Sequence, residues 1–152
     1  VGVKLHTIGH AILPTSADGM MIFETANSLN VPVMVHTGLG IPFALPGMVI
    51  PAAKKFPNLK IILAHAGFDI ATGEAVAVAS AFKNIYLECS WCIGGDIVWA
   101  MNELGADRVM FGTDNPNNMQ TELVKVKEAG ATSEQLEWYF NKTASRVFNI
   151  KL

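Results

Sequence analysis

Five short apolar runs, Val1–His6, Val31–His36, Lys60–His65, Asn84–Glu88 and Arg108–Gly112, begin about 24 to 30 residues apart. That interval holds one strand and one helix. Most of the runs are rich in Val, Ile, Leu and Met on both faces, the pattern of parallel strands covered from two sides. Helical segments fit between them. Thr15-Ser16-Ala17-Asp18 supplies a cap and an acidic first turn, Ile22, Ala26 and Leu29 give a stripe at helical spacing, and Asn30 before Val31-Pro32 ends it. Further helices are expected over Pro46–Phe56, Gly73–Phe82, Gly95–Leu104 and Thr121–Ala129, with a last one capped by Thr132 or Ser133 and running through Phe148. Parallel neighbours need crossovers, which are right-handed. The expectation is an α/β chain with one sheet of about five parallel strands, each followed by a helix, plus a C-terminal helix.

Composition narrows the function classes. The chain is 51% hydrophobic and 16% charged, with 11 basic and 13 acidic residues and no block of like charge. Its mean hydropathy is +0.33. This implies a large core and gives no footprint for nucleic acid or a membrane surface. No apolar run reaches the roughly 20 residues of a membrane-spanning helix. The N-terminus has no secretory pattern, so cytoplasmic placement is expected. It also lacks an initiator Met and opens directly into a strand, so residues upstream are expected.

The polar residues fall where the apolar runs stop. Lys4 and His6 close the first run, His36-Thr37-Gly38 the second, His65-Ala66-Gly67 the third, Glu88 with Ser90 the fourth, and Gly112-Thr113-Asp114-Asn115-Pro116 the fifth. Parallel strands bring their C-terminal ends to one rim, where barrels and open α/β sheets bind ligands. Two imidazoles and a carboxylate are good ligands for zinc and similar divalent ions. Cys89-Ser90-Trp91-Cys92 has dithiol spacing, but no second Cys pair exists to complete a Cys₄ site. Core packing is its expected role, with a redox dithiol as the alternative.

His-Thr-Gly at 36–38, Leu-Ala-His-Ala-Gly at 63–67 and Phe-Gly-Thr-Asp-Asn-Pro at 111–116, with Tyr139 to Phe148 at the end, resemble the amidohydrolase superfamily. The likeness covers the whole chain. It is strongest to the amidohydrolase-related branch, which also holds decarboxylases of the aminocarboxymuconate semialdehyde and resorcylate types. The resemblance implies a metal-dependent TIM barrel whose last five strands are these. It assigns His36, His65 and Asp114 to the metal, with Asp114 and His65 also catalytic. Lys4, His6, Ser90, Trp91 and Asn115 are the expected substrate-binding residues. One divalent ion, zinc foremost, is the expected cofactor.

The implied reaction is hydrolysis of a C–N or C–O bond in a small molecule by metal-activated water, with decarboxylation of a small carboxylic acid as the alternative. One departure stands out. The family's first strand carries His-x-His or Glu-x-His, and no such pair lies upstream among the four His of this chain. The whole of 1–152 therefore reads as a single domain, the C-terminal portion of a barrel whose N-terminal strands are missing. Little or no activity is expected of it alone. Two open sheet edges and exposed apolar surface would favour a homodimer or higher homo-oligomer, and a non-catalytic self-assembling half-barrel is the remaining alternative.

Overall fold

The computed structural model describes residues 2–151, so Val1, where the first apolar run begins, lies outside the described residues. Five strands form one parallel sheet in the order in which they occur: β1 (Val3–Leu5), β2 (Val33–His36), β3 (Ile61–Ala64), β4 (Ile85–Glu88) and β5 (Val109–Met110). The strands are shorter than the apolar runs because pairing ends where the rim loops begin.

Helices α1 (Ala17–Ser28), α2 (Ile50–Lys55), α3 (Thr72–Ala81), α4 (Gly94–Leu104) and α5 (Met119–Glu128) alternate with the strands or follow them. Ser16 caps α1 by accepting the Gly19 amide, and Gly105 ends α4 at a φ of 93°. Residues Pro46–Val49 form a tight 3₁₀ turn before α2, because Pro51 fits its first turn. The last helical stretch is continuous from α6 (Ser133–Glu137) through a π-helical segment at Trp138–Lys142 to α7 (Thr143–Phe148). Thr132 caps it in a reciprocal box with Gln135.

The sheet has two differently covered faces. Leu5, Val33, Val35, Ile61, Leu63, Ile85, Leu87 and Val109 point outward into a core shared with Phe23, Ala53, Val76, Ile97, Val126 and Tyr139. The alternate residues Met34, Ile62, Tyr86 and Met110 point inward, where Ala144, Val147 and Phe148 of α7 pack against them. The last helix thus floors the inner face near the strands' N-terminal ends. The Lys60 ammonium fastens it there through the carbonyls of Arg146 and Val147.

Under the outer layer, Arg108 is buried and donates to the carbonyls of Ala79, Phe82 and Ile85, tying the end of α3 to the start of β4. Among the described residues no helix is long and apolar enough to cross a membrane.

Candidate active site

The inner-facing positions continue past the floor to the opposite rim. Lys4, His36, Ala64 and Glu88 are the C-terminal inward residues of β1 to β4, two positions on from or level with the floor residues. Lys4, His6, His36, Leu39, His65, Phe68, Trp91 and Asp114 line one cavity of about 360 Å³ at that rim. Five of the expected site residues other than His36 therefore converge on it with His36: Lys4, His6, His65, Trp91 and Asp114.

His65 is the centre of the arrangement. It is 3% exposed, and its ring lies 5.0 Å from that of His36. Its Nδ1 is 2.7 Å from Ser90 Oγ, and its Nε2 faces Oδ1 of Asp114 at 4.0 Å. Burial, then the positive charge of Lys4, pushes the His65 imidazole down to about 4, so it is neutral at pH 7. Asp114 is half exposed, and its Oδ2 accepts the Trp91 indole N–H at 3.0 Å, which leaves Oδ1 toward His65.

His36 is held differently. Its Nε2 is 2.7 Å from the Leu39 carbonyl, which only accepts, so this nitrogen carries the proton. Burial also lowers the His36 pKa, and the ring of His6 stacks on it at 4.2 Å. Lys4 has solvent on its open side. Even so, partial burial holds its ammonium below the ordinary lysine value, with Glu88 and Asp114 opposing the shift.

Two expected substrate-binding residues lie off the cavity. Ser90 is fully buried behind His65. Asn115 is exposed and spends its side-chain oxygen on the Asn117 amide, capping the turn after Asp114. Cys89 and Cys92 are free thiols in the core, and Cys92 Sγ donates to the His65 carbonyl at 3.0 Å, which is the packing role expected.

Glu88 and Phe68 carry more than the sequence reading gave them. Phe68 stacks with Trp91 at 5.9 Å to form an aromatic wall. Glu88 is buried under the rim and collects the amides of His65 and Ser90 and the Ser90 hydroxyl. Burial raises its pKa, and those hydrogen bonds oppose the rise. The signal for it was small neighbours: Ala64 sits beside it, and a Cβ on Gly112 would overlap its carboxylate.

The backbone at this rim is strained. His65, Trp91 and Asp114, which follow β3, β4 and β5, have φ of 66°, 67° and 56°. A left-handed backbone is costly for residues with a Cβ, and it clusters at functional sites. Here it turns three successive strand ends inward over the cavity.

The donor set fits a divalent ion in kind and only partly in number. His65 Nε2 and Asp114 Oδ1 are a nitrogen and an oxygen with no hydrogen-bond partner between them. Their separation is slightly wider than the about 3.4 Å between two donors on a tetrahedral ion. The third expected ligand, His36, has its Nε2 committed to Leu39. Among the described residues no three His, Cys, Asp or Glu side chains are grouped as a metal site requires.

The parallel sheet, the helices on its outer face and the polar residues at its C-terminal rim define a partial TIM-type barrel. Residues 1–150 match the amidohydrolase family, and the chain belongs to it. Three similar solved structures place its fold. An uncharacterised TIM-barrel protein from Bordetella bronchiseptica aligns at a TM-score of 0.79 and 20% identity over 91% of this chain and 52% of that one. A 5-carboxyvanillate decarboxylase from Novosphingobium aromaticivorans, complexed with manganese and 4-hydroxy-3-methoxy-5-nitrobenzoic acid, aligns at 0.72 and 15% identity over 98% and 56%. An amidohydrolase 2 protein from Bifidobacterium longum subsp. infantis aligns at 0.67 and 17% identity over 90% and 56%. The chain thus spans just over half the length of these structures. No curated protein sequence matches it significantly.

Proposed function

We propose that this chain carries one side of the active site of a metal-dependent hydrolase that acts on a C–N or C–O bond of a small molecule. The observation that carries the reading is the facing pair of His65 Nε2 and Asp114 Oδ1 at the strand rim. A divalent ion held there would supply Lewis acidity and lower the pKa of water. His65, neutral at pH 7, offers a lone pair into the cavity. Asp114 would accept the proton of the attacking water and return it to the leaving nitrogen or oxygen, with its carboxylate oriented by the Trp91 indole N–H on Oδ2. Lys4 and His6, on β1 and just after it, receive an anionic group of the substrate, and the Phe68–Trp91 wall receives its planar part.

One observation favours decarboxylation as the second reading. A cation beside an aromatic wall suits a planar carboxylic acid, and the Novosphingobium relative is a decarboxylase solved with such an acid. Calorimetric titration of Mn²⁺ and Zn²⁺ tests the metal centre. One site is expected, weakened at least tenfold in Asp114→Asn, and unchanged affinity in that variant overturns the reading. Acid release from lactones or amides against CO₂ release from hydroxybenzoates separates the two reactions.

A further inference from the structure

Resting on the centre proposed above, we infer that Ser90, backed by Glu88, is a positioning residue that holds His65 in the tautomer protonated on Nδ1, with Nε2 left as a lone-pair donor toward Asp114. The hydrogens along one buried line from Glu88 to His65 fix the tautomer. The Glu88 carboxylate accepts the His65 amide on Oε2 at 3.1 Å and the Ser90 amide on Oε1 at 2.7 Å. Both donors belong to the backbone and cannot reverse. Ser90 Oγ lies 3.0 Å from Oε2 and 2.7 Å from His65 Nδ1.

A hydroxyl has one hydrogen and two lone pairs. Given to the carboxylate, that hydrogen makes a charge-assisted bond and leaves the oxygen to accept from an Nδ1–H. Given to the imidazole instead, it would set a serine lone pair against a carboxylate lone pair in a site closed to water. Glu88 and Ser90 are 5% and 0% exposed, so no solvent relieves that repulsion. The first arrangement pairs every atom from Glu88 to His65 Nδ1 and leaves only Nε2, which faces Asp114 across the cavity, without a proton.

The geometry also explains the small residues around Glu88. Its carboxylate reaches Ser90 from the inner face of β4, and a side chain at Gly112 would displace it. His36 shows the contrast within the same cavity. Its Nε2 faces a carbonyl, so it is fixed in the opposite tautomer. The two rim histidines of β2 and β3 are thus set oppositely by their partners, as the orientation of a metal-binding or catalytic imidazole requires.

The test is long-range ¹H–¹⁵N correlation spectroscopy on histidine-labelled, metal-free chain at pH 8, where the four imidazoles give resolvable patterns. His65 is expected to show a protonated Nδ1 and an unprotonated Nε2, and His36 the reverse. Ser90→Ala is expected to lose the preference and show both tautomers at His65, while Ser90→Thr restores it. A wild-type spectrum with His65 protonated on Nε2 overturns the inference whether or not any variant folds. So does a Ser90→Ala spectrum that keeps the wild-type pattern. Neither result depends on turnover or metal, so a failure here is distinguishable from a failure of the functional proposal.

Discussion

His65 and Asp114 meet across 4.0 Å from strands that are not neighbours. β4 runs between β3 and β5, and the loop after it holds both residues, Ser90 behind the imidazole and Trp91 on the carboxylate. That loop is itself anchored from α5. Glu122, 1% exposed and paired with Lys125, accepts the Trp91 amide, and Lys125 donates to the Cys89 carbonyl. The helix that follows β5 therefore reaches back under the site to set the middle loop.

Trp91→Phe should leave the ring stacked near Phe68 while removing the donor to Asp114 Oδ2. With the carboxylate freed to rotate, the affinity for Mn²⁺ or Zn²⁺ is expected to fall about tenfold, the lower end for loss of a ligand's supporting bond. Calorimetry of both proteins checks this, with thermal unfolding to show that the fold is kept.

Acid should destabilise the chain through His65. Its folded pKa of about 4 lies below the ordinary value of 6.5, so between these the unfolded chain binds a proton that the folded chain refuses. Stability is full above 6.5 and declines as the pH falls toward 4, by at most about 1.4 kcal/mol per pH unit for one proton. His36 has the same sign, and Glu88, whose pKa is raised, has the opposite one. Urea midpoints from pH 7.5 to 5 should fall, and His65→Gln should flatten the curve.

Arg108→Met should cost about 2–3 kcal/mol. The buried guanidinium serves three carbonyls, those of Ala79, Phe82 and Ile85, and the thioether replaces none of its donors. Urea unfolding measures it, and a loss below about 0.5 kcal/mol would mean that water takes the guanidinium's place.

Ile62→Ala should cost about 2–5 kcal/mol, as a fully buried core truncation does. The test is specific to α7, because Ile62 packs against Val147 and its neighbours on the inner face. An exposed inner face would give a far smaller loss.

Among the described residues β1 and β5 are the two edge strands of the sheet. Light scattering after size exclusion should find a dimer or larger species at micromolar concentration. A monomer across the whole concentration range would count against self-association.

Much of this architecture was legible because strand and rim signals are local. A run such as Val33-Met34-Val35 that stops at His36 marks both a strand and its polar end in four letters. The order of motifs then gave the family. What stayed hidden depends on distant partners. Nothing near Ser90 in the chain says that it turns back to His65, twenty-five positions earlier, instead of facing the cavity. The proton on His36 is decided by a loop carbonyl at Leu39, and the left-handed backbone of Trp91 falls on a residue that rarely adopts it. The π-helical segment at Trp138–Lys142 likewise leaves no mark in apolar spacing.

The helix that floors the sheet is synthesised after every strand it covers. Until Phe148 has cleared the ribosome, Ile62 and Met110 have no apolar cover on that side, although every rim residue from Lys4 to Asp114 has already emerged. A stop ahead of Ala144 would therefore spare every rim residue in sequence and still yield a sticky, aggregation-prone product, so damage to this stretch would be read out first as lost yield.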